Sequence, residues 1–247
     1  MSAAFPRVDA ASLPFLTTEQ MVEVDRAMIE DARIRLVQMM EHAGRHLAHL
    51  ARTRFFGGDP RGKRVVVLAG TGGNGGGALV AARRLHGWGA AVRAHTTAEA
   101  EGFAEIPGHN RDIAARLMPV RARTPEARDV DLILDGVIGY SLKGAPRGRA
   151  AELIRWANAT PAPVLSLDTP SGIDTTTGTV HDPSVEAQAT MTLALPKEGL
   201  RAPDVRARLG ELYLADIGVP PGLYAGPGLG LEVGPLFAAS DLLRVVF

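Results

Sequence analysis

From residue 64 to residue 216 the chain alternates short apolar runs with amphipathic stretches, and that alternation most limits what it can fold into. Strand-like runs fall at 64–69, 91–95, 130–135, 163–168, 190–195 and 212–216. Helical segments fit between the earlier ones, at 77–88, 109–117 and 147–158. Parallel neighbours need crossover connections, usually helices, and a strand covered on both faces reads as a continuous apolar run. The pattern therefore predicts an α/β fold, a mainly parallel sheet with helices on both faces. Ligands of such sheets bind outside the carboxyl ends of the strands.

Residues 1–16 read as a loose N-terminal arm. Thr17 and Gln20 then form a capping-box pattern ahead of Met21, Val24 and Met28. Leu36, Met39, Met40, Ala43 and Leu47 continue at helical spacing, so two helices are expected, broken near residues 32–34. The methionines are read as core filling. His42, His46 and His49 lie at i, i+4 and i+7 and read as a polar helix face, not a zinc site. The Gly/Pro-rich stretch 219–234 reads as a surface loop before a short final segment, 236–246. No internal repeat or linker divides the chain, so residues 17–247 are taken as one domain with a helical extension at its start.

Composition excludes several function classes. Lys plus Arg equals Asp plus Glu, at 27 each, so no nucleic-acid or acidic-membrane partner is indicated. The absence of cysteine excludes disulfides, thiolate zinc sites and cysteine nucleophiles. No apolar segment fits a secretory signal or a bilayer span, and a cytoplasmic protein is expected.

The chemistry concentrates at three strand ends. The first apolar run empties into Gly70-Thr-Gly72-Gly-Asn-Gly75, a G-x-G-x-x-G pattern suited to close backbone approach and to phosphate at a helix start. The next strand ends Arg93-Ala-His-Thr-Thr97 without the acid that a Rossmann dinucleotide site places there, which disfavours an ordinary NAD-dependent dehydrogenase. Asp135 closes the third run and precedes the glycine-bounded loop Gly139-Tyr-Ser-Leu-Lys-Gly144. Asp168 closes the fourth, and Pro170 then biases Thr169 to extended backbone. Asn74, Asp135, Asp168 and Ser171 all supply oxygen, a donor set for a hard cation.

In order along the chain, these residues resemble the NAD(P)H-hydrate epimerase family, the YjeF N-terminal domain type. The resemblance runs from about Thr17 to Tyr224. It takes in Thr-x-x-Gln-Met…Asp, from Thr17 to Asp25, the 70–77 loop with Leu-Val-Ala-Ala-Arg-Arg84 after it, and Asp135…Gly139…Gly144…Arg147-Gly148. It continues with Asp168-x-Pro-Ser-Gly-Ile-Asp174, Leu193-Ala-Leu-Pro-Lys197 and Ala215-Asp-Ile-Gly-Val-Pro-Pro221. The resemblance implies a Rossmann-like three-layer αβα sandwich. It also implies an isomerase that interconverts the R and S forms of hydrated NADH and NADPH, with a bound potassium ion.

By that resemblance the potassium ligands are Asn74, Asp135 and Ser171, and the general acid/base is Asp168. Substrate-binding positions are Gly73, Asn74, Gly75, Gly76, Gly77, Gly139, Tyr140, Ser141, Leu142, Lys143, Gly144, Ala145 and Asp168. The family's loop reads Asn-Asn-Gly-Gly-Asp-Gly; its first Asn and its Asp are here Gly73 and Gly77. The chain is too short for the dehydratase domain often fused to this one, so a separate NAD(P)H-hydrate dehydratase is the expected pathway partner. A homodimer stays open. Two other readings also stay open: a non-catalytic nucleotide-binding module of the same fold, and an enzyme on a different nucleotide-like substrate.

Overall fold

A computed structural model describes residues 5–126 and 129–247; residues 1–4 of the arm lie outside the described residues. Its strands are β1 (Arg7–Asp9), β2 (Arg64–Ala69), β3 (Ala91–Thr96), β4 (Val120–Arg121), β5 (Leu132–Gly136), β6 (Val164–Leu167), β7 (Ala189–Leu193), β8 (Glu211–Ala215) and β9 (Leu242–Val246). They form one sheet in the order β1-β9-β8-β7-β6-β5-β2-β3-β4. Every pairing is parallel except β8 with β9. The helices are α1 (Thr18–Glu30), α2 (Leu36–Leu50), α3 (Gly73–Gly87), α4 (Glu105–Ala115), α5 (Gly148–Asn158), α6 (Pro203–Leu209) and α7 (Pro221–Tyr224).

Strand β2 shows why the sheet is covered on both sides. Val65, Val67 and Ala69 pack with Leu79 and Leu85 of α3, while Val66 and Leu68 pack with Leu153, Ile154 and Trp156 of α5. Successive side chains of a strand face opposite ways, so an unbroken apolar run demands helices on both faces. Each such Val or Leu contributes about 1.5–3 kcal/mol by leaving water. From β2 the chain steps outward through β3 to β4, returns to β5 on the other flank, and steps outward again through β6, β7 and β8. The order therefore reverses between β2 and β5, the position where open α/β sheets leave a crevice.

The capping box at α1 is present: Thr17 Oγ1 accepts from Gln20 N, and Gln20 Oε1 accepts from Thr17 N. Helix α3 begins at Gly73, four residues earlier than its pattern predicts, so the glycines read as a loop form its first turns. The reason is packing. A Cβ on Gly75 would stand 1.9 Å from the Gly70 carbonyl oxygen. Helices α2 and α3 cross so closely that a Cβ on Gly44 would stand 2.5 Å from the Gly77 carbonyl oxygen.

The arm is not loose. Residues 7–9 pair with β9, and Leu13, Phe15 and Leu16 are buried, Leu13 and Phe15 in the cluster formed by α6, β8 and β9. The seven-residue α6 was not visible in the sequence because two turns are too few for a periodic signal. Within the final segment, only residues 242–246 form a strand.

Met21, Met28, Met39 and Met40 are core residues, as expected. His46 departs from the polar-face reading: it is 4% exposed, and its Nδ1 has no hydrogen-bond partner among the described residues. Burial lowers its pKa to about 4 from 6.5, with His42 and Arg45 adding to the fall and Asp241 and Asp216 opposing it. The unfolded chain therefore takes up this proton first as pH falls. Stability is expected to drop between about pH 6.5 and pH 4, by roughly 3 kcal/mol for this group. Urea denaturation across that range checks it; His46→Leu should flatten the slope, and an unchanged slope would assign it to other groups.

Candidate active site

The crevice at the reversal holds a cavity of ≈ 530 Å³, bounded by the ends of β2, β5 and β6 and by α1 and α2. Its polar lining includes Asp25, Asn74, Tyr140, Asp168 and Lys197. Asp168 follows β6 directly, with φ +66°, a left-handed backbone that Asp tolerates better than most residues. That turn aims its carboxylate into the cavity floor. Oδ2 accepts from the Tyr140 backbone N–H at 3.2 Å, and Oδ1 accepts from the Thr192 hydroxyl at 3.4 Å.

Asp168 Oδ1 also pairs with the ammonium of Lys197, whose side chain is fully buried. Lys197 Nζ has two further acceptors, the Leu193 carbonyl at 3.0 Å and the Thr192 hydroxyl at 3.3 Å. Three acceptors match the three protons of a lysine ammonium, and a buried ammonium needs the counter-charge that Asp168 supplies.

Asp135, one strand over, is wholly buried beneath the cavity. Oδ1 accepts from the Ser171 hydroxyl (2.6 Å) and the Val137 N–H (3.2 Å). Oδ2 accepts from the Ser166 hydroxyl and the Ser171 N–H, both at 2.9 Å. Burial raises its pKa, and these donors work against the rise, Ser171 foremost. Asn74, in the first turn of α3, donates to the Leu167 carbonyl at 3.0 Å. Asn74 and Ser171 both lie against the backbone at residues 138–139. The Ile138 N–H donates to Ser171 Oγ at 2.8 Å, and a Cβ on Gly139 would lie 3.2 Å from Asn74 Oδ1 and 3.3 Å from Asp168 Oδ2.

The structure thus brings Asn74, Asp135, Asp168 and Ser171 to one neighbourhood. Of the other substrate-binding positions, Gly73, Gly139, Tyr140 and Ser141 line the cavity. Leu142, Lys143, Gly144 and Ala145 do not; they run on along the outer part of the loop, with Lys143, Gly144 and Ala145 exposed. Gly75, Gly76 and Gly77 lie buried beneath the lining, in contacts of α3 with its neighbours. A Cβ on Gly77 would meet Leu167 Cδ2 at 3.1 Å and Ala43 at 3.7 Å. Gly77→Asp should therefore put a carboxylate among apolar groups and destabilise the chain by at least about 1–3 kcal/mol. Gly73, with only Met40 Cε near at 3.7 Å, should accept Asn without loss. Thermal unfolding of the two variants checks the contrast, and equal midpoints would contradict it.

No chemical role was expected for three groups of the cavity: Lys197 and Asp25, which stood only in the motifs that carry the resemblance, and the hydroxyl of Tyr140, which was expected only to contact substrate. Asp25 interrupts the apolar stripe Met21, Val24, Met28 of α1, and that acid in a buried stripe was the available signal. Its Oδ2 accepts from the Tyr140 hydroxyl at 2.5 Å. Burial raises the Asp25 pKa, opposed by the Tyr140 hydrogen bond and by Lys197. Asp174 accepts from the Thr176 and Thr177 N–H groups, so it organises its own turn.

The sequence profile described as YjeF-related protein N-terminus matches residues 36–199. An NAD(P)H-hydrate epimerase of Dehalogenimonas lykanthroporepellens is 42% identical over 99% of this chain and 98% of its own. One of Truepera radiovictrix is 38% identical over 85% and 91%. A bifunctional NAD(P)H-hydrate repair enzyme of Pyrobaculum aerophilum is 36% identical over 77% of this chain but 39% of its own. The crystal structure of the yeast protein ynu0 (YNL200c) superposes with a TM-score of 0.76 at 23% identity, over 94% of this chain and all of that one, and shares its α/β fold. With a profile match over more than half its length and a relative this similar end to end, the chain belongs to the YjeF-related protein N-terminus family.

Proposed function

We propose that this chain interconverts the R and S forms of hydrated NADH and NADPH, with Asp168 as general acid/base. The observation that carries the reading is Asp168 itself: buried at the floor of the crevice where strand order reverses, and aimed by its own turn. The names of the full-length relatives support the substrate. A hydrated nicotinamide bears a hydroxyl on the carbon beside the ring nitrogen, so the lone pair of that nitrogen can help expel it. Epimerisation needs this C–O bond broken and remade on the other face. A positioned carboxyl group that moves a proton at the hydroxyl oxygen lowers the barrier to breaking or making that bond on the face it reaches. Lys197 holds Asp168 in place, and the Tyr140 N–H fixes its second oxygen. Resolving R and S by chromatography during incubation with the protein tests the reading. The proposed partner is an NAD(P)H-hydrate dehydratase, in keeping with relatives named bifunctional repair enzymes.

We also propose potassium as the cofactor. The residues fit it: Asp135, Ser171 and Asn74 offer only oxygen, and Ser171 Oγ keeps a lone pair beyond the one that Ile138 N–H uses. Bound there, potassium would supply positive charge against ligand oxygens. A ligand that binds only the folded chain stabilises it by about 2.7 kcal/mol at a hundred times its Kd. Potassium should thus raise the unfolding midpoint above that in sodium at equal ionic strength, and Ser171→Ala should remove the difference. Identical midpoints for the parent in both salts would count against the site.

A further inference from the structure

We propose that Asp25 is a second catalytic residue, transferring a proton on the face of the substrate carbon opposite Asp168. The inference rests on the epimerisation reading and deepens it. Inversion at a carbon bearing hydroxyl and nitrogen requires water to leave one face and enter the other. Where a substituent beside a ring heteroatom is exchanged with inversion, two carboxyl groups flank the carbon, one protonating the leaving oxygen and one activating the entering water. A single carboxylate held by a buried ion pair does not reach both faces.

The cavity is furnished for this. Among the described residues, Asp25 and Asp168 are the carboxylates that line it, and no histidine does. They come from different layers: Asp168 from the sheet floor, Asp25 from α1. Tyr140 spans them, its N–H on Asp168 Oδ2 and its hydroxyl on Asp25 Oδ2. The two carboxyl groups are thus held apart by the length of one tyrosine. Their surroundings differ as an acid and a base require: Asp168 faces the Lys197 ammonium, whereas burial dominates at Asp25 and raises its pKa.

The step balances. The Asp25 carboxyl gives its proton to the hydroxyl oxygen, the C–O bond breaks, water departs, and the ring-nitrogen lone pair forms a C=N bond. Water on the other face gives a proton to Asp168 as its oxygen bonds the carbon, and the C=N pair returns to nitrogen. One turnover leaves Asp25 ionised and Asp168 protonated; exchange of these protons with solvent resets the pair for the next molecule of the same epimer, and the opposite epimer runs the same steps backwards from the exchanged state.

The test separates a proton-transfer role from a latch that merely fastens Tyr140. Asp25→Asn keeps an acceptor for the phenol but holds no transferable proton. It should lower kcat at least about 10²-fold in both directions with KM little changed, and remove one limb of the pH–rate profile. Tyr140→Phe keeps the carboxyl and should lose less than about tenfold. Formate should restore part of the turnover of Asp25→Ala. Parental kcat in Asp25→Asn overturns the proposal alone, as does an equal fall in Tyr140→Phe carried by KM. A parent that does not accelerate epimerisation overturns both the proposal and the reading beneath it.

Discussion

Replacing Asp168 with asparagine should cut epimerase turnover at least about 10²-fold, the lower end of what a general acid/base contributes. The amide keeps the shape and adopts the φ +66° backbone as readily as aspartate does, so the turn survives. The amide cannot move the proton. It also leaves the Lys197 ammonium buried without its counter-charge. Breaking one side of a buried pair costs about 3–5 kcal/mol, so the variant should unfold at clearly lower urea. Kinetics and urea denaturation on the same preparation separate the two losses. Near-parental turnover would reassign Asp168 to binding.

Lys197→Met should be the most destabilising conservative change in the site, again by about 3–5 kcal/mol, because it strands the Asp168 carboxylate. Methionine fills similar volume without a charge. The double variant Asp168→Asn, Lys197→Met should therefore be more stable than the two single losses added together, with a coupling of roughly 0.5–3 kcal/mol for groups in direct contact. Strict additivity would mean that the pair contributes nothing as a pair. The double variant should remain inactive, since recovering the fold does not restore the proton donor.

The layered fold was legible because β2, β5 and β6 are buried on both faces and so read as short, predominantly apolar runs. The oxygen set was legible because Asp135 and Asp168 close their runs and Asn74 and Ser171 follow a few residues past the ends of theirs. Lys197 was not. Lysine rarely enters a core, and its burial depends on a carboxylate 29 residues earlier, which no local pattern reports. The run expected at 190–195 ends two residues short, where Ala194 turns the chain at φ +62°. The glycines at 75–77 suggested ligand contact, and the fold places a second demand on them, close packing of α3 against its neighbours. Sequence spacing alone does not separate those two demands.

The central claim is that this crevice epimerises hydrated nicotinamide nucleotides with Asp168 at its floor. Its most direct test starts from pure S and, separately, from pure R hydrated NADH, and follows both epimers by chromatography in potassium buffer. The account predicts that the parent speeds both approaches to one common R-to-S ratio, while folded Asp168→Asn leaves the spontaneous rate nearly unchanged. A folded, potassium-supplied parent that leaves both at the spontaneous rate would contradict it, and would favour a binding module or another substrate.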